Sequence, residues 1–101
     1  MVRHIVMWKL KDEAAGATKA QNARKLKTKL ESLQQTIPQL KFAEVGINFN
    51  ISQAAYDVVL YSEFENKEAL QAYQMHPEHK KLITDFLDKV RTDKKVVDYE
   101  V

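Results

Sequence analysis

The chain has 101 residues, of which 45% are hydrophobic and 30% charged, with a formal net charge of +2 and no cysteine. A chain of this length supplies one modest hydrophobic core, so we expect a single domain over residues 1–101, and the missing thiols exclude a disulfide framework, a cysteine nucleophile and a thiolate metal site. No apolar run approaches the roughly 18 residues of a membrane span, and no secretory leader pattern is visible, so we expect a cytoplasmic protein without a membrane partner.

The first predicted element is a β-strand over residues 2–10. This segment is rich in β-branched and aromatic side chains, which alternate between two faces of a strand. One face carries Val2, His4, Val6, Trp8 and Leu10, and the other carries Arg3, Ile5, Met7 and Lys9. The residues that follow, up to Gly16, are predicted to end this strand.

An amphipathic helix is predicted next, from the N-cap candidate Thr18 to about Thr36. Its apolar stripe recurs at spacings of three and four residues and consists of Ala23, Leu26, Leu30, Leu33 and Ile37. Pro38 lies just beyond, where a continued helix would lose a hydrogen bond and clash.

The same helix carries most of the basic residues of the first half of the chain, namely Lys19, Arg24, Lys25, Lys27 and Lys29. A basic helix face is able to bind nucleic acid or a membrane surface. No aromatic residues interleave with these side chains and no nucleic-acid motif accompanies them. We therefore interpret the face as solvated surface and expect no nucleic-acid partner.

Two strands follow, over residues 41–49 and 56–64, with a loose loop between them. The first strand has Ala43, Val45, Ile47 and Phe49 on one parity. A helix then begins near residues 65–67 and is interrupted at Pro77. Proline fits the first turn of a new helix, so we expect His76 at its N-cap and Pro77 at its first position.

The helix after Pro77 carries Leu82, Ile83, Phe86, Leu87 and Val90 at helical spacing. Asp93-Lys94-Lys95 is predicted to break it, and residues 96–101 to form a fourth strand. The resulting order, β-α-β-β-α-β, predicts an α+β, ferredoxin-like fold: a four-stranded antiparallel sheet with helices on one face.

Helices on one face leave the other face of the sheet open, and such an open face usually carries polar side chains. Here it carries four apolar or aromatic side chains: Ile5, Met7, Val59 and Tyr61. Such a patch is large for a monomer. We therefore predict a homodimer in which the two sheets pack face to face around a two-fold axis.

Several segments together resemble the stress-responsive dimeric α/β-barrel (Dabb) family. They are the opening residues 3–12, Ile37-Pro38, Glu44-Val45-Gly46, Val97-Asp98-Tyr99 and residues 69–79 with the pattern Tyr-x-x-His-Pro-x-His. The resemblance spans essentially the whole chain. It implies a ferredoxin-like protomer and a homodimer whose sheets form a barrel.

The family includes plant stress-associated proteins and a polyketide cyclase in which a tyrosine and a histidine act over a pocket between sheet and helices. The resemblance places these roles on Tyr73 and His79, with His4 and Asp98 as further pocket residues. Two positions depart from the cyclase. Val58 stands where it has another histidine, and Trp8 replaces a smaller aliphatic residue, so the cyclase substrate does not carry over.

We predict a small, mainly apolar pocket lined by His4, Val6, Trp8, Leu60, Tyr73, His79, Phe86 and Asp98. A neutral imidazole at position 79 is suited to proton transfer, and the Tyr73 phenol is suited to stabilising charge on an oxygen. Asp98 is expected to hold the His79 imidazole in one tautomer. An apolar pocket with a few polar groups is the usual form of a ligand site.

Three functions stay open at this point. The leading hypothesis is a stress-associated protein that binds a small apolar or aromatic molecule. The second is an enzyme, cyclase-like or monooxygenase-like, in which Tyr73 and His79 transfer protons. The third is a structural role with a filled cavity. We expect no cofactor and no metal site, because the three histidines lack a ligand spacing and no glycine-rich loop is present.

Overall fold

The structure, a computed structural model, describes all 101 residues. The strands are β1 (Val2–Leu10), β2 (Glu13–Ala14), β3 (Ala17–Thr18), β4 (Phe42–Ile47), β5 (Val58–Phe64) and β6 (Arg91–Glu100). The helices are α1 (Lys19–Thr36), α2 (Lys67–Met75), α3 (Pro77–Leu82) and α4 (Asp88–Val90), and a π-helical turn (Ile83–Leu87) joins α3 to α4.

Four strands form one antiparallel sheet in the order β4-β5-β1-β6. In the centre of the sheet Val6 pairs with Leu60 on one side and with Val96 on the other. The helices cover one face, where alternate residues of β1 and β5 are buried. This arrangement confirms the predicted ferredoxin-like α+β fold.

Helix α1 begins at the predicted N-cap, Thr18, which forms a capping box with Gln21 that was not part of the prediction. The Thr18 hydroxyl accepts from the Gln21 backbone N–H, and the Gln21 side chain accepts from the Thr18 N–H at 2.9 Å. The predicted stripe is the buried face, with Leu26 fully buried. Because the cap satisfies backbone donors that a helix start leaves free, it fixes where α1 begins.

The break at Pro77 also forms as predicted. The Nδ1 atom of His76 accepts a hydrogen bond from the Glu78 backbone N–H at 3.1 Å, and Pro77 occupies the first helical position. The π-helical turn that follows is not predicted by the apolar spacing. It inserts one extra residue into a turn and leaves Leu87 and Val90 in the core while Phe86 stays partly exposed.

Three other details differ from the prediction. A small hairpin, β2-β3, precedes α1 and turns through Ala15 and Gly16, which both have positive φ. Strand β4 ends at Ile47, so Phe49 lies outside the sheet and is 98% exposed. Strand β6 starts at Arg91 and includes Asp93-Lys94-Lys95, because an edge strand tolerates charged side chains that face water.

The open face of the sheet carries the apolar residues that the sequence places there. Ile5 lies opposite Tyr61 and Val97, and Met7 lies opposite Val59. Within one protomer Val97 is 56% exposed. None of the helices combines the length and the apolar character that crossing a membrane requires.

Candidate functional site

His4 and Asp98 form the first part of the candidate site. His4 lies on the helix-covered face of β1 and is 5% exposed, and Asp98 lies directly opposite it on β6. The Nδ1 atom of His4 makes a hydrogen bond to the Asp98 carboxylate. The expectation that Asp98 orients His79 is wrong, because the strand register places its carboxylate beside His4.

Tyr73 and His79 form the second part. Tyr73 lies in the last turns of α2 and His79 in α3, and their ring centroids are 4.5 Å apart. The helix break at Pro77 changes the chain direction between them, so residues six positions apart meet. The buried Tyr73 ring also packs against Phe64 at 5.0 Å and lies 6.5 Å from the His4 ring. The fold thus gathers His4, Tyr73 and His79 into one aromatic cluster.

Burial sets the protonation of this cluster. It raises the pKa of Tyr73 well above the usual range of a phenol, so the hydroxyl stays protonated and able to donate. Burial lowers the pKa of His79; the Gln74 backbone carbonyl opposes this, and the positive charge of Lys94 adds to it. A neutral His79 imidazole has one nitrogen free to accept a proton.

Two buried polar atoms on the helix-covered side of the sheet have no hydrogen-bond partner. They are Nδ1 of His79 and Nε1 of Trp8. Trp8 is only 3% exposed and shares the helix-covered face of β1 with His4. Buried polar groups nearly always have a partner, so these two atoms have unused hydrogen-bonding capacity.

Most of the remaining predicted lining lies in the packed core. Val6 and Leu60 are each 2% exposed and belong to the same buried cluster as Tyr73. Phe86 lies elsewhere: it lines a surface groove between α1 and α3, where the Lys29 ammonium lies 5.3 Å from its ring centroid.

A depression of about 470 Å³ borders the site at the surface. It is lined by Val2, Lys67, Leu70, Asp98, Tyr99 and Glu100. Asp98 belongs both to this depression and to the pair with His4. The depression therefore brings solvent to the edge of the aromatic cluster.

Sequence reasoning missed two residues of the site. Phe64 packs against both Tyr73 and His4, and the buried Ser62 hydroxyl donates to the His4 carbonyl at 3.0 Å. Both are among the alternate residues of β5 that face the core, together with Leu60. The alternating burial of β5 indicates that both side chains face the core. Only the register between β1 and β5 shows that they lie beside His4.

Comparisons with known proteins agree with this architecture. The family model described as Stress responsive A/B Barrel Domain matches residues 2–101. A curated relative from Arabidopsis thaliana, a stress-response A/B barrel domain-containing protein, is 29% identical over 106 residues, covering 98% of this chain and 36% of the relative. The chain spans less than half the length of the curated relatives it matches, 36% and 46%.

Solved structures share the fold over nearly the whole chain. A dimeric protein of unknown function with a ferredoxin-like fold from Bacteroides fragilis is 33% identical, with a TM-score of 0.85 and coverage of 99% of this chain and 95% of that one. A hydroxynitrile lyase from Passiflora edulis is 17% identical, with a TM-score of 0.80 and coverage of 99% and 92%. Such structures show that the fold occurs both in dimers and in an enzyme.

Proposed function

Because the chain belongs to the stress responsive A/B barrel domain family, we propose that it acts as a homodimer in which each protomer binds a small, mainly apolar molecule between its sheet and its helices. The observation that carries the binding proposal is the cluster of the buried His4 and Tyr73 with the half-buried His79, whose Nδ1 atom is itself buried and unpartnered.

The dimer is supported by the open face of the sheet. Its apolar residues, Ile5, Met7, Val59, Tyr61 and Val97, have no covering element in the protomer. A second copy that packs sheet to sheet would bury them, at about 25 cal/mol per Å² of apolar surface. The solved structure from Bacteroides fragilis, which is 33% identical, is described as dimeric.

The chemistry of the cluster suggests the class of ligand. Phe64, Tyr73 and the two imidazoles offer aromatic surface, while the Tyr73 hydroxyl and the unpartnered His79 nitrogen offer hydrogen bonds. A small aromatic molecule with one hydroxyl or carbonyl group satisfies both. We propose that it enters beside Asp98, through the depression of about 470 Å³, by displacing packed side chains.

NMR titration with p-cresol tests the binding proposal. Trp8 is the only tryptophan, so its indole N–H gives a single resonance from the helix-covered face of β1 that also carries His4. We expect p-cresol to shift this resonance and toluene, which lacks the hydroxyl, to bind more weakly. Removing one neutral hydrogen bond costs about 0.5–1.5 kcal/mol, so Tyr73→Phe and His79→Gln should weaken p-cresol binding about twofold to tenfold.

The matched control is His76→Asn, which removes an imidazole from the same segment but keeps an N-cap acceptor. It should leave p-cresol binding unchanged. If neither compound shifts the Trp8 resonance, the core is filled and serves structure alone, which contradicts the binding proposal.

Proton transfer at a carbonyl compound is the second candidate function. The ring contact of 4.5 Å between Tyr73 and His79 favours it, because a neutral imidazole can take a proton from the carbon beside a carbonyl while a phenol donates to the enolate oxygen. Deuterium exchange into the methyl group of acetophenone, followed by NMR, tests this function. An enzyme accelerates exchange and loses the effect in Tyr73→Phe, whereas a pure binding protein leaves the rate at that of buffer.

A further inference from the structure

The loop between β4 and β5 presents two large apolar side chains to solvent. Phe49 is 98% exposed and Ile51 is 99% exposed, and Ile47 at the end of β4 is 44% exposed. We call residues 48–55 the arm. An aromatic side chain alone offers about 150–250 Å² of surface, so Phe49 and Ile51 add a large apolar area to the surface of the arm.

The arm is held in shape by its own polar side chains. The Asn48 Oδ1 atom accepts from the Asn50 N–H at 2.7 Å, and Asn50 Oδ1 accepts from the Ser52 N–H at 2.9 Å. The Asn48 amide also donates to the Tyr56 carbonyl at 2.6 Å. Asparagine side chains that bond to the backbone two residues on stabilise turns. The exposure of Phe49 and Ile51 is thus part of an ordered conformation.

The arm continues the open face of the sheet. An apolar depression of about 330 Å³ lies at its base, and its apolar lining is Met7, Ile47, Phe49, Tyr56, Val58 and Val59. Met7 and Val59 are cross-strand neighbours on the open face. Through Phe49, the apolar surface of the arm therefore continues into the apolar surface of the sheet.

The arm also lacks charge. Residues 45–56 contain no Lys, Arg, Asp or Glu in a chain that is 30% charged. Loops and helices that rest on a membrane surface usually add basic residues to their apolar ones, and this stretch has none. The uncharged, apolar surface of the arm, together with the open face of the sheet, is therefore suited to contact with an uncharged, apolar protein surface.

We propose that the arm packs onto a second copy of this chain, with Phe49 and Ile51 as its anchors and the depression of the second copy as their acceptor. This inference rests on the proposed homodimer and adds to it a reciprocal contact, since in a two-fold interface each arm meets the other copy. Apolar anchors seated in pockets carry much of the energy of an interface.

The first experiment is sedimentation equilibrium on the wild type and on the double variant Phe49→Ser, Ile51→Ser. These side chains contact little within the protomer, so circular dichroism should be unchanged while the dimer dissociation constant rises at least tenfold. Gln53→Ser, also an exposed change in the arm, should leave it unchanged. An unaltered dissociation constant in the double variant overturns the proposal.

The second experiment uses the absence of cysteine from the chain. The single variant Ile51→Cys should react with Ellman's reagent at least tenfold more slowly in the dimer than when Val97→Arg is added to separate the protomers. The control Gln35→Cys, exposed on α1, should react at the same rate in both backgrounds. Equal rates at position 51 overturn the proposal.

The outcomes separate the arm from the homodimer on which it depends. If the wild type is monomeric, both are wrong. If the wild type is dimeric and the arm variants behave like it, only the arm contact is wrong. Cosedimentation of the wild type, but not of the double variant, with vesicles of phosphatidylcholine and phosphatidylserine would identify the arm as a membrane contact and would also contradict the proposal.

Discussion

His79 is the residue on which both proposed functions depend. Its ring touches the buried Tyr73, its Nδ1 atom has no partner, and burial lowers its pKa. Because the folded protein disfavours protonation of His79, its stability relative to the unfolded chain should fall as the pH is lowered. The pH dependence of the free energy of unfolding therefore tests the environment of His79 without a ligand.

We expect the free energy of unfolding of the wild type to rise with pH below about pH 6.5. The folded-state pKa of His79 lies below the ordinary value of 6.5, so between the two values the unfolded chain binds more protons, and stability increases with pH across that window. Urea denaturation followed by Trp8 fluorescence, at fixed protein concentration, measures it. His79→Gln should lose less stability between pH 7.5 and pH 5 than the wild type; parallel losses would contradict a depressed pKa.

The sequence predicted the members of the cluster better than their contacts. The Tyr-x-x-His-Pro-x-His pattern identified Tyr73 and His79, and the proline break explains why they meet. The partner of Asp98 was not predictable, because it depends on the register between β1 and β6, and these strands are far apart in the chain. Phe86, predicted as a pocket residue, lies in a π-helical turn and lines a surface groove between α1 and α3 instead.

At the scale of elements, strong local sequence signals predict the structure and weak ones do not. The Thr18 N-cap of α1 and the Pro77 start of α3 each depend on a few neighbouring residues, so the local sequence is enough to predict them. Strand β6 contains Asp93-Lys94-Lys95, which reads as a loop, and only its pairing with β1 makes it a strand. The hairpin β2-β3 has strands of two residues each, too short to show alternation.

That hairpin offers an element-scale prediction. Its two-residue turn has φ of +51° at Ala15 and +72° at Gly16, and the left-handed region is unfavourable for alanine but tolerated by asparagine. Ala15→Asn should therefore stabilise the protein by about 1 kcal/mol. Urea denaturation measures the change. The control Ala20→Asn, in the first turn of α1, should be mildly destabilising, and a loss of stability in Ala15→Asn would show that the turn is not built as described.

At the scale of the whole molecule, one protomer has two unequal halves. The helix-covered side of the sheet contains the buried core and the aromatic cluster. The open side carries half-buried or exposed apolar residues that no helix covers, and the arm extends that surface. The proposed homodimer gives the open side a partner and leaves the site of each protomer between its own sheet and helices.

Sedimentation velocity on the wild type, Val97→Arg and Gln35→Arg tests the proposed homodimer most directly. Two chains of 11.7 kDa give a dimer of about 23 kDa, and the wild type should sediment at that mass at micromolar concentration. Val97→Arg adds a charge to the open face, where the side chain is 56% exposed, so it should yield folded monomer, while Gln35→Arg on α1 should stay dimeric. A wild type that sediments at 11.7 kDa, or a Val97→Arg variant that remains as dimeric as Gln35→Arg, would contradict the account.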